Sequence, residues 1–180
     1  MTQAFHGIRI VDFSQVFAGP FATMQLGLLG ADVIKIEEPG AGDQCRGIGA
    51  DNDIGQVGMP PFYLAMNANK RSMTLDLKHP SAVGVVARLV KDADVVVQNF
   101  RPGVIDRLGF GYEAMKAIKP NLIYCSVSGY GQTGPSSAAP AYDGAIQAVS
   151  GMMSVTGYPE NGPTRVGRSE STRLNSSHRH

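Results

Sequence analysis

The sequence predicts an α/β protein built on a Rossmann-like, doubly wound and mainly parallel sheet. Short β-branched runs alternate with helical patterns in units of about 25 to 30 residues, the spacing of strand–helix–strand crossovers. The 180 residues are enough for one domain with a core. Hydrophobic residues make up 43% and charged residues 17%, so a soluble packed domain needs no unusual composition.

Each element follows in order. Ile8 to Phe13 (I-R-I-V-D-F) reads as a strand. Gly19-Pro20 leads into a helix from Phe21 to Leu29, because the missing N–H of proline costs nothing in a first helical turn. Gly30 caps that helix. Asp32 to Glu37 (D-V-I-K-I-E) is a second strand, and Pro39 to Pro60, rich in Gly, Asp and Pro, is a long loop. Ser72 to Leu75 is a short strand. Pro80 to Ala93 is a periodic helix with Val83, Val86, Leu89 and Val90 on one face. Val95 to Gln98 is a strand, Val104 to Leu108 and Tyr112 to Ile118 are short helices, Leu122 to Val127 is a strand, and Asp143 to Met152 is a helix. No internal repeat and no linker precedes Gly167.

The pattern breaks at Arg168. Residues 168–180 hold one aliphatic side chain, Leu174, and no periodicity, so they cannot bury enough apolar surface to fold. The run S-T-R-L-N-S-S-H resembles the conceptual translation of a sequencing-library adapter, so 168–180 is expected to be a disordered, non-native tail.

Charge and composition exclude several functions. A net charge of +1 gives no broad field for nucleic acid or an anionic membrane. No apolar run reaches the roughly 18 residues that span a bilayer, and Met1 to Gly7 lacks signal-peptide features. Cys45 and Cys125 sit in no metal-ligand spacing and read as reduced thiols of a cytoplasmic protein. His6 and His79 are isolated, as surface histidines are.

Several motifs bear on chemistry. Gly129-Tyr130-Gly131-Gln132-Thr133-Gly134 is a formal G-x-G-x-x-G, but Pro135 and Pro140 deny it the helix that would hold a pyrophosphate. NAD and FAD are therefore not expected. Glu37 reads as a solvated strand end. Lys70, Arg71 and Lys78 flank a short strand near a helix N-terminus, which suits either a phosphate bed or a solvated basic edge. Asn99-Phe100-Arg101-Pro102-Gly103 follows the carboxyl end of a strand, where open α/β sheets bind ligands. Phe100 and Arg101 suit a nucleotide base and phosphate; a tight turn with an exposed Arg is the alternative.

Six segments, taken in order, resemble family III CoA-transferases of the CaiB/BaiF, formyl-CoA transferase type. They are Gly7 to Pro20, Leu29 to Glu37, Asn69 to Lys78, Gln98 to Gly109, Ser128 to Pro135 and Tyr142 to Gly151. The resemblance implies that residues 1–167 are the N-terminal part of the large domain of an interlocked homodimer. It implies transfer of CoA from an acyl-CoA to a carboxylic acid through an aspartyl anhydride and an aspartyl-CoA thioester, with CoA and acyl-CoA as substrates and no permanently bound cofactor. By the same resemblance, Phe17 and Ala18 occupy a CoA-contacting turn. Leu75, Asp76, Leu77 and Lys78 form a CoA-contacting strand end, with Lys78 the phosphate partner. Asn99, Phe100 and Arg101 form the loop around CoA, and Arg107 is a further phosphate contact. Tyr142 and Asp143 line the pantetheine channel. Glu38 departs from the pattern, since some relatives carry Arg there.

The nucleophilic aspartate would fall near position 172, which is Thr172. The chain is thus expected to stop short of its nucleophile and to be inactive alone. Two alternatives stand beside transfer: an α-methylacyl-CoA racemase-type acid–base enzyme, disfavoured because Tyr142 occupies the position of the racemase His, and an inert or CoA-binding fragment.

Overall fold

The computed structural model describes residues 3–49 and 57–166. The expected tail at 168–180, Thr172 within it, and the middle of the loop expected over 39–60 lie outside the described residues. The chain divides into two units, Met1–Ser128 and Gly129–His180.

In the first unit, β1 (Arg9–Asp12), β2 (Asp32–Glu37), β3 (Arg71–Thr74), β4 (Val95–Gln98) and β5 (Ile123–Ser126) form one sheet. Its order is β3-β2-β1-β4-β5, and every pair is parallel. The chain winds outward from β1 in both directions, so the topological switch point lies between β1 and β4. Register sets Val11 opposite Ile34 and Val96.

The central strands are near-continuous apolar runs because both faces are covered. Ile10, Val33 and Val97 pack on one face with Leu26 of α1 (Ala18–Leu28). Val11, Phe13, Ile34, Ile36 and Val96 pack on the other. There they meet Val86 and Val90 of α3 (Ala82–Lys91), Ile105 of α4 (Val104–Arg107) and Met115 of α5 (Tyr112–Ile118). Leu89 joins that cluster, but Val83, expected on the same face, is 49% exposed.

α1 starts at Ala18, earlier than the sequence suggested, because Gly19 and Pro20 both fit inside its first turn. A Cβ on Gly19 would collide with Ser14, so the close approach of helix to strand end requires glycine there. α2 (Pro61–Asn67) falls in a stretch, just past the loop expected over 39–60, to which the sequence assigned no element. It opens with Pro at its first position and buries Tyr63 and Asn67.

The second unit holds α6 (Asp143–Val149), followed by 3₁₀ turns at Met152–Val155 and Pro159–Asn161. The helix ends before the expected Met152 because Gly151 turns left-handed, φ 78°. No helix starts within Gly129–Gly134, and the next one begins at Asp143.

Phe110 is fully buried and stacks on Phe13 at 6.0 Å between ring centroids. Phe110→Ala should cost about 3–5 kcal/mol, read as a lowered urea midpoint. A loss below about 1 kcal/mol would show that this side of the core is not packed as described.

Candidate functional site

All five strands point their carboxyl ends the same way, and the buried charged groups gather there. Lys70 Nζ meets Asp12 Oδ2 at 3.0 Å and also donates to Pro20 O and Asn67 Oδ1. Asp12 accepts further hydrogen bonds from Ser14 N, Ser14 Oγ and Thr23 Oγ1. Lys35 Nζ lies 2.7 Å from Asp43 Oδ2 and donates to Ser14 O. Glu37 accepts from Arg46 Nε and Nη2, both at 2.7 Å, and from Tyr63 Oη, Ser72 Oγ and Asp43 N. The Arg46 guanidinium lies 3.8 Å from the centroid of the Tyr63 ring. Three anions and three cations thus neutralise one another almost out of contact with water.

Burial shapes their titration. It pushes the Glu37 carboxyl up, but the donors, Arg46 foremost, outweigh it and hold the group at about 2. Burial also opposes the charged form of Asp43, yet the Lys35 ammonium and the Cys45 N–H keep it below the usual carboxylate range. For Lys70 burial wins over the attraction of Asp12 and lowers the ammonium from its ordinary value.

These groups surround the β1–α1 loop at the switch point. Val16 has φ 70°, a left-handed conformation in which a β-branched residue is strained by about 1–3 kcal/mol. The surrounding side chains hold it there. Val16 N–H donates to Asp43 Oδ1 at 3.1 Å and Cys45 Sγ donates to Val16 O at 3.1 Å. Asn99 takes both polar groups of Gln15: its Oδ1 accepts from the N–H at 2.8 Å and its Nδ2 donates to the C=O at 2.7 Å.

The residues expected at the site are distributed as follows. Phe17, at the N-cap of α1, stacks on Phe21 and leans against Phe62, at 5.9 and 6.2 Å between centroids. Ala18 is exposed beside it. Asn99 is beside this loop too, as its fastener. Phe100 donates its N–H to Gln98 Oε1 and rests partly on the core. Arg101 and Arg107 follow with exposed charged heads. Leu75–Lys78 lie at the same end of the sheet but after edge strand β3, with β2 between them and β1. Leu75 and Leu77 pack against the core, Asp76 closes a turn by accepting from Lys78 N, and Lys78 is exposed. In the second unit, Tyr142 is 72% exposed and Asp143 accepts from Gln147 Nε2 at 2.7 Å. Thr172 lies outside the described residues.

Two expectations need correction. Glu37 is not a solvated strand end but 3% exposed, with five donors. Lys70 is not part of a phosphate bed, because its ammonium is consumed by Asp12, Pro20 and Asn67. Arg71 is likewise paired, with Asp32 at 2.6 Å. Sequence reasoning missed Asp12, Lys35, Asp43, Arg46 and Tyr63. Asp12 and Lys35 left a signal: a charged residue inside a strand buried on both faces must find an opposite charge.

A depression of about 130 Å³ opens over β2 and β3, rimmed by Glu38, Gly40, Gly42, Ser72 and Thr74. That is smaller than the roughly 300 Å³ of a complete small-molecule pocket. Among the described residues no cluster of three His, Cys, Asp or Glu side chains could hold a metal ion, and no helix is long and apolar enough to cross a membrane.

Known proteins resemble this chain closely. The family described as CoA-transferase family III matches residues 5–171. Human (Homo sapiens) succinyl-CoA:glutarate CoA-transferase is 47% identical over 169 residues, covering 89% of this chain and 36% of that protein. The acetyl-CoA:oxalate CoA-transferase of Acetobacter aceti is 48% identical over 164 residues, covering 91% and 41%. The crystal structure of a CAIB/BAIF family protein from Brucella suis aligns with a TM-score of 0.85 at 39% identity, covering 95% of this chain and 45% of that one. The chain therefore spans less than half the length of these relatives.

Two outcomes test the charge network. Lys70→Met leaves Asp12 buried and unpaired and should cost about 3–5 kcal/mol in urea unfolding; a neutral result would mean that water reaches Asp12. The Glu37 carboxyl is depressed from 4.5 to about 2, so its contribution to stability is complete above pH 4.5 and is lost as pH falls from there toward 2. Glu37→Gln should be less stable than wild type at pH 7 and show a shallower loss across that acid range. Parallel pH profiles for the two would contradict this assignment.

Proposed function

The chain belongs to CoA-transferase family III, and from that premise we propose that it supplies acyl-CoA-facing surface to an enzyme that moves CoA from an acyl-CoA to a carboxylic acid. The family match over residues 5–171 carries this reading. The fold supports it, because the β1–α1 loop and the Asn99–Gly103 loop flank the switch point where doubly wound sheets receive ligands. Lys78, Arg101 and Arg107 are exposed and in no ion pair among the described residues, which leaves their charge for phosphates. Both named relatives use dicarboxylic acceptors, glutarate and oxalate, and we take a dicarboxylic acid as the acceptor class.

The proposed chemistry is nucleophilic catalysis by a carboxylate. Its oxygen attacks the thioester carbonyl, forming a mixed anhydride and releasing CoA thiolate. The thiolate attacks the enzyme's acyl carbon, releasing the donor acid and leaving an enzyme-bound CoA thioester. The acceptor carboxylate displaces the thiolate to form a second anhydride. Attack of the thiolate on the acceptor's carbonyl then releases the new acyl-CoA and restores the carboxylate.

Such a carboxylate needs an accessible, unengaged oxygen, whereas the buried Asp12 and Glu37 accept from four and five donor groups and Asp43 is held by two N–H groups and the Lys35 ammonium. Thr172, near the expected nucleophile position, is a poor substitute at neutral pH. Racemisation is the weaker reading because the exposed Tyr142 is no partner for an acid–base pair. A second copy of the chain as partner belongs to the same proposal, and the exposed Ile123, Tyr142, Val149, Val155 and Tyr158 support coverage by further protein surface.

The 180-residue chain should bind CoA saturably in isothermal titration calorimetry, and Arg101→Ala should weaken binding about tenfold, or about 1.4 kcal/mol. It should transfer no CoA from succinyl-, acetyl- or formyl-CoA to glutarate or oxalate. Turnover would overturn the placement of the nucleophile, and absence of binding would overturn the CoA-facing role.

A further inference from the structure

The backbone of Ser14, Gln15 and Val16 is held entirely by side chains. Ser14 N–H donates to Asp12 and Ser14 C=O accepts from Lys35. Gln15 N–H and C=O both bond Asn99. Val16 N–H donates to Asp43 and Val16 C=O accepts from Cys45. These six consecutive polar groups draw on five side chains from β1, β2, the 38–47 loop and the end of β4. A left-handed valine does not persist on its own preference, so these bonds impose the conformation.

We propose that Asn99 and Asp43 are positioning residues for acyl-CoA: they hold Val16 left-handed so that Phe17 and Ala18 meet the ligand already in their bound geometry. The inference rests on the CoA reading above and changes the role of Asn99, which the family resemblance makes a direct contact. Both ends of the Asn99 amide are engaged by one residue, Gln15, which fixes the plane of the amide. Asp43 Oδ1 accepts from Val16 and Cys45 while Oδ2 faces the Lys35 ammonium, and that ammonium returns to Ser14 O. The loop is thus closed through two independent fasteners, one from each side of β1. Released from them, Val16 would relax to a right-handed or extended backbone and carry Phe17 away from Phe62. Binding would then have to restore the order that the fasteners supply in advance.

Asn99→Asp separates positioning from contact. It keeps an acceptor for Gln15 N–H and removes the donor to Gln15 C=O. In the 180-residue chain, CoA affinity by calorimetry should fall about tenfold, and amide hydrogen exchange at Gln15 and Val16 should accelerate while that at Val11 and Val96 is unchanged. Adding Val16→Gly should recover most of the affinity, because glycine adopts positive φ without strain. If Asn99 touches CoA itself, glycine restores nothing and the proposal fails; it fails equally if Asn99→Asp binds as wild type does. Should Asn99→Asp not fold, Asp43→Asn, which keeps the acceptor oxygen but not the charge facing Lys35, is read by the same two measurements and the same rescue. A wild-type chain with protected loop amides and no affinity for CoA overturns the CoA reading and the positioning role with it, a pattern distinct from binding that Asn99→Asp leaves intact.

Discussion

An ammonium with no water around it stays charged only beside an anion, and two such pairs fix the end of β1. Lys70 reaches Asp12 from beyond α2, and Lys35 reaches Asp43 from within β2. All four side chains are at most 2% exposed. Buried pairs of this kind are weak sources of net stability, because desolvation offsets most of the attraction. Their effect is to exclude alternatives. A shift of β2 against β1 would pull Lys35 from Ser14 O and Asp43 from Val16 N, and a displaced β3 would draw Lys70 away from Asp12. The pairs therefore specify register and helix placement more than they add to the folding free energy.

The same pairs solve a problem that regular structure leaves open. Between β1 and α1 the chain belongs to neither ladder nor helix, and buried peptide groups there need partners. Asp12, Lys35 and Asp43 use the capacity left over from ion pairing to supply them. One set of charges thus serves strand register and loop conformation together. The strain at Val16 persists because several bonds over-determine it, which is how strained backbone survives at sites that act on ligands.

What could be read from sequence follows from this division. β2, β4 and α5 lie where period and composition put them, because a buried parallel strand or an amphipathic turn is a local signal. α2 was missed because its seven residues, directly after a loop rich in Gly, Pro and Asp, are too few to show a helical period. Glu37 and Lys70 were assigned to solvent or phosphate because their true partners are set by tertiary structure. Lys70 and Asp12 are 58 positions apart, and Asn99 and Gln15 are 84 apart. No spacing rule joins such residues. Their charge alone says that they need partners, not which ones.

That division also separates the charges paired inside the fold from those left exposed at its surface. Asp12 and Glu37 each accept several hydrogen bonds and Asp43 Oδ2 faces the Lys35 ammonium, and a carboxylate so engaged is a poor nucleophile, because attack on a thioester would first break the interactions that justify its burial. Their cationic partners are unavailable to phosphate for the same reason. Among the cations outside these pairs, Lys78, Arg101 and Arg107 stand in segments that follow the carboxyl ends of β3 and β4, outside the neutral network. A polyanionic ligand approaching this end of the sheet would therefore meet exposed positive charge first and a neutral, rigid floor beneath it. Such a floor has no strong field of its own to oppose the ligand, and its geometry need not change as the ligand's charge arrives.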